Sequence, residues 1–230
     1  MKCKFFNFFF VACVFSFLSC RDKNDCAKNG CPPEYTRFEL GEALPYLWAK
    51  PGSYWIYKHS QTGALDTQTV TNFLYDSVTV KGTEDHSQHR TYEYDKLIRN
   101  LYSSFNQANY HEETNGFNPN SPPDIVQFNF HRSTGYGDPS IFHFPFVEGQ
   151  ISGTGAEITT FIGIDTLYIL HGKTYIKIVK FGISIEKPYD QECIGYTKST
   201  YYWAKHVGLI KKDYQDCNFS WELIDYKINR

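Results

Sequence analysis

A two-residue alternation of apolar and polar side chains runs from Ser53 to the C-terminal end, and it constrains the fold more than any other feature. Successive side chains on a strand point to opposite faces, so alternation marks one buried and one solvated side. "SYWIYKHS" sets Trp55, Tyr57 and His59 on one side and Tyr54, Ile56 and Lys58 on the other. "QTGA" turns the chain into "DTQTVTNFLYDSVTV". "RTYEYDKLIRNLY" places Tyr92, Tyr94 and Ile98 on one face, and "NQANYHEE" follows as its partner strand. "IVQFNFHR" gives Val126, Phe128 and Phe130 a shared face, as "IFHFPF" does for Phe142, Phe144 and Phe146. "EITTFIGI", "DTLYIL" and "KTYIKIVKF" read as close-set strands with "HGK" as a tight turn, and "TKSTYYWA", "VGLIKKDY" and "WELIDYKI" end the series. Gly, Asn and Pro mark "TNGFNPNSPPD" and "STGYGDPS" as loops. Glu42 to Ala49 suits a short helix or turn interrupted by Pro45. No long amphipathic helix and no repeat period accompany these strands. The expected fold is all-β with minor α: one antiparallel sheet of about ten strands over residues 34–230, curled or partly closed into a barrel so that few edges stay bare.

The N-terminal segment has a different physics. Lys2 and Lys4 precede an apolar run from Phe5 to Leu18, broken only by Asn7 and Ser16, and no acid stands before Asp22. As a helix the run spans about 21 Å at roughly 1.5 Å per residue, too short for a hydrocarbon core of about 30 Å. Residues 1–19 therefore read as an export signal rather than a membrane span. Cys20 sits at the seam, where the apolar run meets the charged "RDKND". Leu18-Ser19-Cys20 resembles the lipobox of bacterial lipoproteins, with Phe17 where that family usually has Leu. The resemblance implies cleavage before Cys20, diacylglycerol on its sulfur and acylation of its new amine. One acyl chain binds a membrane only reversibly, whereas two or more hold firmly at ~0.8 kcal/mol per buried CH₂. The polar stretch after Cys20 also resembles the segment that directs lipoproteins to the cell surface in Bacteroidota. Residues 20–33 are then a lipidated tether ended by Pro32-Pro33. The expected location is the outer membrane, on its cell-surface or periplasmic face.

Removing residues 1–19 takes away two lysines and no acids, moving the formal charge from −2 to −4. That balance, with no long basic cluster, argues against a nucleic-acid partner. Of seven cysteines, Cys3 and Cys13 leave with the signal and Cys20 carries lipid, so Cys26, Cys31, Cys193 and Cys217 remain. An even number in an exported chain favours two disulfides. The four are split between the chain's ends and contain no CxxC spacing, which disfavours zinc. Cys26–Cys31 would close a short loop in the tether. Cys193 and Cys217 flank two alternating strands, and a hairpin centred on Lys205 sets them opposite one another. In that register Trp203 faces Val207 across a loop of Ala204, Lys205 and His206, Tyr201 faces Leu209 and Thr197 faces Asp213. Such three-residue loops contain one αL residue, and His is enriched among the non-glycine residues that adopt it. The juxtaposition of Lys198 and Lys212 counts against this register.

"GSYWIYKHSQTG", "GKTYIKIVK", "YYWAKHVGLIKKD" and "WELIDYKI" resemble the ordered landmarks of small Bacteroidota lipoproteins, from about Lys50 to Ile228. The resemblance implies a curled antiparallel sheet similar in outline to periplasmic lipoprotein carriers, and it implies no catalytic residues. His206 replaces the glycine usual in that family before Val-Gly-Leu.

No constellation of reactive groups matches a known chemistry. His86 and His89 would point to opposite faces of a strand, and no acid or cysteine stands at ligand spacing, so neither a metal nor another cofactor is expected. Glu112-Glu113, Glu84-Asp85 and Glu93 with Asp95 are the carboxylate pairs to weigh for glycosidic chemistry, which needs two carboxyls facing across about 5–9 Å. Arg90, Lys96 and Arg99 beside Glu93 and Asp95 instead suggest a salt-bridged outer surface. "GYGDPS" and "SGTGAE" lack the strand–turn–helix setting of a phosphate loop, and no GxSxG appears. The aromatic faces remain. Trp55, Tyr57, Phe128, Phe130, Phe142 and Phe144, with Tyr202 or Trp203, fill a core or line an apolar cavity. The expected function is a lipid-anchored, non-enzymatic binding or carrier module whose ligand, an apolar molecule or a glycan, the sequence does not identify. A glycan-binding accessory protein is one alternative and a hydrolase with dispersed carboxylates another; the oligomeric state is open.

Overall fold

The computed structural model describes residues 34–81, 90–116, 128–133, 140–144, 146–149, 151–152, 157–185 and 197–230. Residues 1–33, on which the expected signal, Cys20 and the expected tether fall, lie outside these residues, as do the histidine pair His86/His89 and Glu84-Asp85. The chain forms two compact units, residues 1–36 with 80–92 and residues 37–79 with 93–230. The second holds nearly all that follows.

Among the described residues thirteen strands form a single antiparallel sheet, with almost no helix: β1 (Glu34–Phe38), β2 (Tyr54–His59), β3 (Leu65–Lys81), β4 (Arg90–Ser103), β5 (Ala108–Gly116), β6 (Phe128–Ser133), β7 (Ser140–Phe144), β8 (Ile151–Ser152), β9 (Glu157–Leu170), β10 (Lys173–Ile185), β11 (Thr197–Ala204), β12 (Gly208–Tyr214) and β13 (Phe219–Lys227). The helical turn α1 (Leu44–Leu47) carries Pro45 near its start, where the missing N–H costs nothing. The strand order is β7-β6-β5-β4-β3-β2-β13-β12-β11-β10-β9-β8, with β1 beside β4. β7 approaches β8 and β9 without laddering to them, so the sheet curls but does not close. The count exceeds ten because β1 and the two-residue β8 carry no readable alternation. In the other direction, "EITTFIGI" and "DTLYIL" are one strand, β9, whose register to β10 slips between Lys180 and Phe181 instead of breaking.

The "HGK" turn is a two-residue hairpin, with His171 at φ 49 and Gly172 at φ 74 joining Leu170 to Lys173. Positive φ at both central residues matches the right-handed twist of the flanking strands. The β11–β12 hairpin corrects the expected register. Ala204 pairs with Gly208 and Trp203 with Leu209, and a bulge then puts Tyr202 opposite Lys211 and Thr200 opposite Asp213. The loop is thus Lys205–Val207, one residue later than expected, and the outer arm lies further off still. His206 does adopt the αL conformation (φ 68), and Gly208, at φ 97, takes a second left-handed position that only glycine adopts easily. The His206 N–H donates to Pro45 O (2.7 Å), so a tertiary contact with the α1 segment helps to fix the loop. Cys217 is disulfide-bonded and occupies the Gln215–Asn218 turn before β13. Cys26, Cys31 and Cys193 lie outside the described residues.

Two apolar clusters form the core. One joins Leu40, Leu47 and Leu97 to Phe161, Phe181 and Trp203. The other joins Trp55, Tyr57 and Leu101 to Ile178, Trp221 and Leu223. The buried face of β4 is Asp95, Leu97, Arg99, Leu101 and Ser103. Tyr94 and Ile98 share the other, half-buried face. Arg99 is therefore inside, not on a salt-bridged exterior.

Candidate functional site

Three of the residues expected to line a cavity are core anchors. Trp55, Tyr57 and Trp203 are all at least 97% buried. Trp55 Nε1–H donates to Val207 O at 2.7 Å and Tyr57 O–H donates to Leu209 O at 2.8 Å. Both bonds cross from β2 to the β11–β12 hairpin, giving each ring's polar tip the partner that burial demands. Tyr202 is half-buried, packed on Tyr168 (ring centroids 5.3 Å apart) with Lys211 Nζ 5.9 Å from its ring centre. The register sets Phe128 opposite Phe144 and Phe130 opposite Phe142.

Among the described residues, the carboxylates weighed for catalysis are engaged. Glu112, fully buried, accepts from Arg99 Nε at 2.5 Å and is ion-paired with the Arg99 Nη2 group. The Arg99 Nη1 group donates to Leu47 O at 2.8 Å, and the guanidinium lies 5.3 Å from the centre of the Trp55 ring. Every face of this buried cation is satisfied, which is what keeps a charge tolerable in a low-dielectric interior. Glu113, its neighbour in sequence, points to the other face and meets Lys96 (2.6 Å) and His111 (3.2 Å). Partial burial pushes its carboxyl up, but those hydrogen bonds and charges outweigh burial and hold it below the usual value. Glu112 and Glu113 cannot converge on one substrate from opposite faces.

Glu93 and Asp95 share a face, as expected, and both are held by Arg37 of β1. Arg37 Nη2 lies 3.2 Å from Asp95 Oδ1, and Nη1 is paired with Glu93. Asp95 also accepts from Leu40 N–H (3.1 Å) and Tyr75 O–H (2.7 Å). Burial and the Asp95 bond push the Tyr75 phenol up to about 12. Above this network Trp48 packs edge-on against Phe73 (4.9 Å) and Tyr75 (5.2 Å), with Lys50 Nζ 5.6 Å from the Trp48 ring centre. Tyr75 is 37% exposed. Here aromatic faces, the Glu93 carboxylate and two cations meet over the buried Asp95. The sequence reading missed this group. The spacing of Phe73 and Tyr75 places them together on β3, but Trp48 joins them only through the path of the chain after α1.

A second surface feature is aliphatic. Ile162, Ile164, Leu167 and Ile169 of β9 and Ile176 of β10 are 42–64% exposed, and Leu167 pairs directly with Ile176. The buried side of β9 changes from Thr159 and Phe161 to Tyr168 and Leu170 along its length, so the outward side changes parity with it. Lys177, at φ 50, marks the matching turn in β10. At the hairpin tip His171 Nε2 lies 3.1 Å from Glu222, and Lys173 Nζ donates to Ile224 O at 2.9 Å.

Among the described residues no three His, Cys, Asp or Glu side chains group as a metal site, and no helix is long and apolar enough to cross a membrane. Comparison with protein families, with curated proteins and with solved structures finds no match to this chain.

Proposed function

We propose that the chain is a lipid-anchored, non-enzymatic binding module of a bacterial outer membrane, held through Cys20 and working through the surface of its sheet. The anchor rests on the lipobox-like Leu18-Ser19-Cys20 behind a short apolar run. The observation that favours binding over hydrolysis is the engagement of the weighed carboxylates. Glu112 is sealed against Arg99, Glu113 is paired with Lys96, and Glu93 and Asp95 share Arg37. A general acid or nucleophile needs a reach to substrate that these contacts take up. Cys20→Ala should leave the protein in the aqueous phase of a detergent partition, or unprocessed, while the parent enters the detergent phase. Normal cleavage with unchanged partitioning would falsify the anchor.

A glycan ligand is the second reading, and Trp48, Phe73 and Tyr75 favour it. Sugar rings stack on aromatic faces while carboxylates and cations bind their hydroxyls, and Glu93, Arg37 and Lys50 stand nearby. Trp48→Ala should then abolish retention on immobilised polysaccharide without changing partitioning. A carrier of apolar ligands would instead rest on Phe128, Phe130, Phe142 and Phe144, and binding of an apolar fluorescent probe by the folded chain tests it. The Cys193–Cys217 disulfide remains part of this reading, decided by peptide mapping without reductant.

A further inference from the structure

We propose that the outward face of the β9–β10 hairpin is the contact surface of a homodimer. Its residues are Ile158, Ile162, Ile164, Leu167 and Ile169 of β9, Ile176 of β10 and Ile151 of β8, each 38–68% exposed. Soluble chains leave single aliphatics at the surface, but a contiguous row of seven is rare and marks an interface. At on the order of 100 Å² each, the seven expose about 700 Å², close to the ~800 Å² that one partner gives to a stable interface. The row is maintained by backbone geometry. Where β9 changes its buried side, the exposed positions change from even to odd numbers, and an aliphatic occupies the outward position on both sides of the change.

The composition selects the occupant. Surfaces that rest on a bilayer carry Trp, Tyr or Phe with Lys and Arg around them, and none of the seven is aromatic or charged. A face of Ile and Leu has the make-up of a domain core cut in half, which is the mark of homodimer interfaces. A two-fold dimer sets the same groups against each other, so it requires a patch with little net charge. Asp165, the one charge of β9 within the row, is neutralised by Lys180 at 2.9 Å. β9 also lacks the Lys and Pro residues that protect exposed strands from pairing. Among the described residues its far edge pairs only with β8, through Thr159 and Thr160.

The test uses the full lipid-anchored chain in cells, with a benzophenone amino acid placed at Ile164 or at Ile169 and, as control, at Leu65 of β3. Illumination should give an adduct of twice the chain mass from the first two positions and none from the third, with the joined peptides both from β8–β10. The double variant Ile164→Glu/Leu167→Glu should abolish the adduct formed from Ile169 while keeping the melting temperature that the parent shows at dilutions where association is negligible. An adduct to a phospholipid or to a different protein, or no adduct above the Leu65 level, overturns the homodimer. Adduct formation does not depend on the ligand of the module, so the two readings fail separately.

Discussion

The interior between β4 and β5 holds a charged pair, whereas the outward face of β9 and β10 holds aliphatics. Arg99 and Glu112 are 2% and 0% exposed; Ile164 and Leu167 are 54% and 53% exposed. Hydrophobicity alone would place each pair where the other lies. Arg99 stays inside because Glu112, Leu47 O and the Trp55 ring replace its water shell. The isoleucines stay outside because the opposite side of the same strand, with Phe161 and Leu170, already fills the core. A sheet has two faces and a single curled sheet has one interior, so apolar residues on the second face need a use other than folding.

The comparison breaks most visibly at Glu112. Glu112→Ala leaves a buried guanidinium without its counter-charge and should cost about 3–5 kcal/mol, read from urea unfolding. The double change Arg99→Met/Glu112→Leu should recover most of that loss, because the pair contributes little over well-packed apolar groups. A loss under about 1 kcal/mol, typical of an exposed pair, would mean that the pair is solvated. Next come the two anchors beside it. Trp55→Phe strands the Val207 carbonyl and removes part of the ring below Arg99, a loss of about 1–3 kcal/mol. Tyr57→Phe, which removes one bond to Leu209 O, should cost about 1 kcal/mol.

On the other side of the comparison the effects on folding should nearly vanish. Ile164→Thr and Leu167→Thr should each shift the stability of the monomer by no more than about 0.5 kcal/mol, measured at dilutions where association is negligible. A loss like that at Trp55 would place these side chains in the core. The smallest effects concern pH. The Glu113 carboxyl is held low in the folded chain, so its contribution is present above about pH 4.3 and is lost as pH falls through the folded value. Glu113→Gln should flatten that acid limb. The His206 imidazole is also held low, by desolvation and then by Arg230 and Lys205. Its unfolded form takes up protons first, so stability should decline as pH falls below about 6.5, and His206→Asn should remove that decline. These limbs are read from melting temperature against pH.

Much of the strand series was legible because alternation is a local property. "TKSTYYWA" coincides with β11, "SYWIYKHS" brackets β2, and the tight "HGK" turn stands where its Gly places it. The αL conformation of His206 was legible for the same reason, since a three-residue loop needs one such residue. The register around that loop was not. It depends on Gly208 and on the His206 N–H meeting Pro45 O, about 160 residues away in the chain. Period two also leaves the choice of buried face open when both faces carry mixed residues. β4 therefore reads as well with Tyr94 and Ile98 inside as with Leu97 and Leu101 inside.

By itself, then, the sequence determined the strands and their hairpin order, because each depends on residues within a few positions of one another. Tertiary structure alone decided that Arg99 is buried, that Trp55 and Tyr57 anchor a hairpin, and that Trp48 completes a surface group with Tyr75. It also decided that the β9 aliphatics face outward. Each of these depends on which distant group supplies a hydrogen bond, a counter-charge or a covering side chain, and that partner is fixed only when the sheet curls.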